Sequence, residues 1–256
     1  MGKYKPVPPL SGFVDFLWES RPYAPPHKSE RVLPTGAMDL VVDVTRDGGD
    51  CGIVSGARST FHLLDTSRPR EFVGARFTPG GGFAFFGPAH ALRNLSLPLA
   101  TVWDHAALEL RERLAATPPG TARFTVLEQF LLLRLDRDVR RHPAVRHALG
   151  RLQRSDGSGS IGALAEECGL SHRRLIELFN DEVGLTPKRY GRLCRFRRSL
   201  SVIGVDNEVD WADLAADCGY SDQPHLIHEF RAFTGLTPTL YLEHRTANLN
   251  HLRNPC

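Results

Sequence analysis

The sequence predicts an α+β fold in two parts. A β-rich N-terminal domain with helices comes first. An all-α domain follows, built on two helix-turn-helix units joined by a linker helix. Three observations predict this. Strand-like segments separated by Gly- and Pro-rich turns fill the first third. Helical spacing of apolar residues takes over from Asp104. In the last hundred residues an ordered motif occurs twice.

In the first third, residues 13–18 (FVDFLW) are rich in strand formers. Residues 38–44 partly alternate, setting Asp39 and Asp43 opposite Leu40 and Val42. A turn is expected at residues 47–50 (DGGD), before a further strand at 52–54. Residues 71–77 make another strand, stopped by the Thr-Pro-Gly-Gly-Gly of 78–82. Residues 104–114 then place Ala107, Leu110 and Leu114 at helical spacing, with Asp104 as the candidate N-cap. A second helix, 124–135, is apolar on more than one face; it is a buried core helix or one that also meets a second subunit. Residues 137–142 read as a charged hinge, Pro143 as the start of a helix, and 155–160 (SDGSGS) as a flexible connection. The domains implied are 1–137, for effector binding or dimerisation, and 143–247.

The repeat carries the function. Copy one runs Leu164-Ala165, Cys168-Gly169-Leu170-Ser171, Phe179, Gly184-Leu185-Thr186-Pro187 and Tyr190. Copy two runs Leu214-Ala215, Cys218-Gly219-Tyr220-Ser221, Phe230, Gly235-Leu236-Thr237-Pro238 and Tyr241, with one additional residue between its Ser and its Phe. Each copy reads as helix, tight turn, helix. Gly169 and Gly219 sit where a helix ends in a left-handed residue, and Ser171 and Ser221 are the candidate caps of the next helix. Leu175, Leu178 and Phe179, and Leu226 and Phe230 in copy two, turn inward and leave polar residues outward. A pair of this kind presents its second helix to the major groove.

The segments GLSHRRLIELFNDEVGLTPKRY and GYSDQPHLIHEFRAFTGLTPTLYLEHR resemble the AraC family of transcription regulators. The resemblance covers residues 143–245 and implies a linker helix from Pro187 to about Ile203. That stretch holds Lys188, Arg189, Arg192, Arg195, Arg197 and Arg198. The resemblance implies base-facing positions at Arg173, Ile176 and Glu177, and at Gln223, Pro224, His225, Ile227 and His228. Arg suits guanine, Gln adenine, Glu the cytosine amino group and Ile the thymine methyl. Phosphate contacts are expected from Ser171, Lys188, Arg189, Arg192, Arg195 and Ser221, supplying affinity rather than sequence choice. Copy two has no Arg on its outer face before Arg231, which implies weaker base reading. His225 and His228 also stand three apart, the spacing of a metal pair, but no third ligand lies near in sequence.

Residues 31–42 and 74–82 are similar to N-terminal domains attached to some of these regulators, often a small β-barrel followed by helices. The resemblance implies a small-molecule effector, and Trp18, Asp39, His62 and Arg76 are the candidate contacts, each with a structural alternative in core packing or a salt bridge. The partners implied are double-stranded DNA, RNA polymerase, the effector and a second copy of the chain as a homodimer.

Composition restricts the alternatives. The 256 residues are 41% hydrophobic and 24% charged, ordinary globular values. Net charge is +3, and from Arg151 onward 13 Lys and Arg stand against 14 Asp and Glu, so DNA binding rests on pattern rather than bulk charge. Cys51, Cys168, Cys194, Cys218 and Cys256 form no CxxC pair, which argues against a disulfide framework and a zinc site. No cofactor is expected. No apolar run approaches the roughly 20 residues of a membrane span, and the N-terminus lacks a signal-peptide core, which implies a cytoplasmic protein. No GxSxG, phosphate-loop or HExxH motif is present, so no enzyme is expected. The remaining enzymatic alternative is a DNA-repair alkyl transferase with a fused helix-turn-helix domain. It needs an activated cysteine, and Cys51 lies in a Gly-rich turn with no evident partners.

Overall fold

The computed structural model describes residues 2–23, 27–45, 51–136, 138–203, 209–246, 248 and 250–254. The turn expected at 47–50, the domain limits placed at 137 and 247, and Cys256 lie outside them. In chain order the first part contains β1 (Gly2–Tyr4), β2 (Val14–Tyr23), β3 (Ser29–Val32), β4 (Asp39–Asp43), β5 (Ile53–Ser55), β6 (His62–Asp65), β7 (Arg70–Phe77), α1 (Phe83–Phe86), β8 (Ser96–Pro98), α2 (Ala100–Trp103), α3 (His105–Ala116) and α4 (Thr121–Arg134).

Antiparallel pairing gives a six-stranded sheet in the order β1-β2-β7-β4-β5-β8. Its register sets Leu17, Ala75, Leu40 and Val54 side by side, and all four are fully buried. That face packs on Trp103, Leu110, Leu114, Leu127 and Leu131 of α2 to α4. Burying a side chain of this size stabilises by about 1.5–3 kcal/mol, so this layer is the main support of the first domain. Period-two alternation then forces Phe16, Arg76, Asp39 and Ser55 onto the opposite face. In α4, Phe124, Leu127, Phe130 and Leu131 enter the core, as the core-helix reading expects, while Leu133 is 81% exposed.

The second part comprises α5 (Pro143–Arg154), α6 (Ile161–Glu167), α7 (His172–Val183), α8 (Pro187–Val202), α9 (Trp211–Asp217), α10 (Gln223–Thr234) and α11 (Pro238–His244). One continuous core joins them, with Leu175, Phe179, Phe196, Phe230 and Tyr241 at its centre. Leu33 and Ala57 of the first part belong to the same core, as does Leu252. After α11 the chain returns to the first domain. β9 (His251–Arg253) pairs with β3, giving a second sheet in the order β6-β3-β9.

Three expectations change. Asp104 does not cap α3 with its side chain: its φ of +47° turns the chain sharply between α2 and α3, and its carboxylate makes no cap bond. Residues 138–142 are not a free hinge. Arg141 donates to Thr78 Oγ1, and the His142 N–H donates to Glu182 Oε1, so the segment is tied to both halves. The connection at 155–160 is a packed loop. The Gly157 N–H donates to the Leu152 carbonyl, Ser155 Oγ donates to the Ser158 carbonyl, and a Cβ at Gly157 would lie 1.8 Å from the Gly191 carbonyl oxygen.

Candidate nucleic-acid interface

The first helix-turn-helix unit is α6 and α7, the second α9 and α10, and α8 lies between them. Both units share their internal construction. Gly169 (φ +65°) and Gly219 (φ +72°) turn the chain in the left-handed conformation glycine adopts at no steric cost. The Gly-Leu-Thr-Pro motif closes each unit. Gly184 and Gly235 end α7 and α10 as left-handed C-caps, Leu185 and Leu236 are buried, Thr186 and Thr237 cap the next helix through their hydroxyls, and Pro187 and Pro238 occupy its first position.

The caps of the two reading helices differ. Ser171 Oγ accepts from the Arg174 N–H and caps α7, as its position suggested. Ser221 does not cap α10. Asp222 takes that place, its carboxylate accepting from the His225 N–H at 2.7 Å. The additional residue of copy two shifts the equivalent of Ser171 to Asp222, and frees Ser221 to meet His225 Nδ1 at 3.2 Å.

The candidate base-facing residues differ in exposure. Arg173 is 90% exposed and lies 2.9 Å from Glu177, which Arg174 also approaches at 3.5 Å. Glu177 thereby holds its carboxyl below the ordinary range and keeps both guanidiniums together. Ile176 is half-buried at the edge of this charged face. On α10, Gln223, Pro224 and His228 are exposed, and Ile227 and His225 are half-buried. His225 leans edge-on against Tyr220 and is engaged by Ser221, so it is braced inside the unit rather than paired with His228. No group of three potential metal ligands occurs among the described residues.

The basic residues of α8 divide. Lys188 and Arg189 are exposed beside the first unit. Arg192 instead forks onto Glu229 of α10, with N–O distances of 3.2, 2.9 and 2.6 Å. Glu229 is almost fully buried, so this pair fastens the second reading helix to the linker. Arg195 stacks over the Tyr220 ring, whose hydroxyl meets Ser199 Oγ. Arg197 is exposed, and desolvation together with the Arg76 charge lowers its pKa. The role of Arg192 escaped the sequence because Glu229 stands 37 residues away.

Three of the four effector candidates come together. Asp39, His62 and Arg76 line one small cavity, about 20 Å³, with Val32, Ser55 and Arg58. Arg76 donates to both Asp39 oxygens, at 2.8 and 3.1 Å. His62 Nδ1 is buried without a hydrogen-bond partner, and desolvation, with help from Arg58 and His251, brings its pKa down to about 4. Trp18 lies outside the cavity on the same sheet face, packed over Gly74. Beyond the cavity, Glu30 lies between His27 Nε2 (2.8 Å) and His251 Nδ1 (2.7 Å), which lower its pKa and tie β9 to β3.

Residues 164–244, which hold both units and the linker, match a family described as a helix-turn-helix domain. This segment is an AraC-type helix-turn-helix domain. Residues 2–98 match a second family, described only as a domain of unknown function, DUF6597. The chain is 29% identical over 92 residues to an HTH-type transcriptional regulator of Mycobacterium tuberculosis, a stretch covering 36% of this chain and 35% of that one. The chain therefore aligns with about a third of that relative's length. Among solved structures, an AraC-type transcriptional regulator from Chromobacterium violaceum aligns at 22% identity and a TM-score of 0.36, covering 40% of this chain and 90% of that one. ToxT from Vibrio cholerae aligns at 9% identity and a TM-score of 0.43, covering 89% and 93%. The matched helix-turn-helix segment contains every base-facing candidate, and the DUF6597 match contains all four effector candidates.

Proposed function

We propose that the chain is a sequence-specific regulator of transcription that binds duplex DNA through α7 and α10 and responds to a small molecule held by its first domain. The observation that carries the DNA reading is that both reading helices expose their N-terminal faces while Phe179 and Val183, Phe230 and Phe233, and Leu193 and Phe196 of the linker anchor them in one core. Two such helices suit successive major grooves, about 34 Å apart. Arg173 with Glu177, and Gln223 with His228, supply the base-edge chemistry. Lys188 and Arg189 supply phosphate contacts. Ser171 and Ser221, next to the helix starts, add neutral ones.

The effector reading rests on the cavity of Asp39, His62 and Arg76. Asp39, Ser55, Arg58 and Arg76 supply its polar wall, and at about 20 Å³ it has room for about one water, so a ligand there must widen it. A ligand there acts on the AraC-type domain directly, because Leu33 and Ala57 beside the cavity belong to the core of that domain. Occupancy of DNA or contact with RNA polymerase then changes with the ligand; a homodimer would add a second pair of reading helices.

Footprinting of the full-length protein on DNA upstream of its own and neighbouring genes, at two salt concentrations, tests the DNA reading. Protection across two adjacent major grooves, weakened by salt and by Arg173→Ala, is the expected result. No protection there, and none from a random-sequence selection, would remove it. The effector reading predicts a compound whose effect on DNA affinity disappears in His62→Ala while binding of the unliganded protein persists.

A further inference from the structure

The first domain touches the AraC-type domain at the same point of the repeat twice. In the first unit that point is the end of α7. A Cβ at Gly184 would lie 2.9 Å from the Ala89 carbonyl oxygen, Arg93 donates to Asn180 Oδ1, and His90 Nδ1 lies 2.9 Å from Asp181. In the second unit it is the end of α10. The Phe61 N–H donates to the Phe233 carbonyl at 3.0 Å, Thr60 Oγ1 to the Ala232 carbonyl, and Arg31 to the Thr234 carbonyl. Arg31 and Phe61 close over Gly235. Gly184 and Gly235 are equivalent residues of the repeat.

The two loops making these contacts, 56–61 and 88–95, are bonded to each other through Asn94. Its side-chain oxygen accepts from the Ser59 N–H (2.7 Å) and from Ser59 Oγ (3.0 Å), and its own N–H donates to the Ala57 carbonyl. Arg58 donates to the Asn94 carbonyl and to Ser96 Oγ. The Gly56 N–H donates to the Leu95 carbonyl, and Gly56 packs so closely on Leu92 that a Cβ would lie 1.9 Å from the Leu92 carbonyl oxygen. Asn94 itself stands at φ +61°, a conformation that Asn tolerates better than most residues.

We propose that loops 56–61 and 88–95 form one clamp, locked by Asn94, that holds the C-terminal ends of α7 and α10 at a fixed separation and so sets the spacing at which the two units meet DNA. The inference rests on the reading of α7 and α10 as the DNA-reading helices. The grip is on the ends away from the groove, so the clamp positions both helices without covering the faces that read. Arg58 is at once a strut of the clamp and a wall of the effector cavity, which places the lock where a ligand reaches it.

Hydrogen exchange on the full-length protein tests the clamp without DNA. Asn94→Gly removes the shared acceptor and keeps the backbone free to hold its left-handed conformation. The clamp predicts that exchange at residues 180–184 and 232–236 accelerates together, by about tenfold, while β4 and β7 are unchanged. Arg93→Ala accelerates 180–184 alone. Acceleration confined to one helix end in Asn94→Gly, or to the loops alone, would overturn the proposal. Arg58→Gln, which leaves Asn94 in place, is the second variant should Asn94→Gly not fold; it must move both ends in the same direction. In footprints, Asn94→Gly retains protection by each unit but tolerates about one additional base pair between half-sites. If the unsubstituted protein protects no DNA, the DNA reading fails while the exchange result stands.

Discussion

The two helix-turn-helix units share a scaffold and differ in what they present. Gly169 and Gly219, Leu185 and Leu236, Thr186 and Thr237 do the same work in each. Outside that scaffold the first unit offers a charged cluster of Arg173, Arg174 and Glu177, whereas the second offers Gln223, Pro224, Ile227 and His228. The second unit is also held differently, by the buried Arg192–Glu229 fork; α7 has Phe233's counterpart Glu182, which meets the His142 N–H instead. A duplicated fold thus keeps the residues that shape the backbone and lets its outer face and its attachments diverge.

The largest expected effect separates attachment from recognition. Arg192→Ala strands the Glu229 carboxylate in the core and should cost about 3 kcal/mol of stability, seen as a lower Tm in thermal melts. Arg189→Ala should leave Tm unchanged and reduce DNA affinity at every sequence alike. If Arg192→Ala melts normally and only weakens DNA binding, the assignment of Arg192 as a fastener is wrong. Next comes the difference in outer faces. Arg173→Ala should cost about 1–3 kcal/mol of specific binding and relax sequence choice within the half-site of the first unit, measured by competition between operator variants. Gln223→Ala should act on the other half-site and by less; equal losses at both would erase the asymmetry. The caps come third. Ser171→Ala and Asp222→Ala should each cost about 1 kcal/mol by denaturant unfolding, whereas Ser221→Ala should cost almost nothing.

A pH-dependent effect lies beside the grip on the second unit, where His62 follows Phe61. The fold holds the His62 pKa near 4 against an ordinary 6.5. Between those values the unfolded chain binds a proton that the fold resists, so stability falls as pH drops from 7 towards 4. His62→Gln should flatten that part of the curve in melts recorded at pH 7, 6 and 5. An unchanged slope would mean that other titrating groups dominate the window.

Much of this was legible in advance because backbone geometry restricts residue type. Glycine adopts a left-handed turn without strain, and short hydroxyls and carboxylates are favoured helix caps, so the repeat announced its turns and both sheet and helix periods announced their faces. The cap of α10 was also legible, since the spacing of copy two lengthens by one residue between Ser221 and Phe230, but position in the motif favoured Ser221 over Asp222. What stayed hidden was long-range. Nothing local to Arg192 marks Glu229 as its partner, nothing in 31–42 reveals Asp39 bonded to Arg76, and residues 251–253 are too few and too polar to read as a strand that joins β3.

That last strand changes how the molecule divides. The chain passes out of the first domain before α5 and comes back to it at β9, so the AraC-type domain is attached at both of its ends, as an insertion would be. Cleavage between α4 and α5 would not release two independent pieces: the first would keep a bare edge along β3 and a Glu30 stripped of His251, and the second would carry an orphaned strand. Doubly anchored in this way, the AraC-type domain can twist or shift against its neighbour but cannot swing free of it.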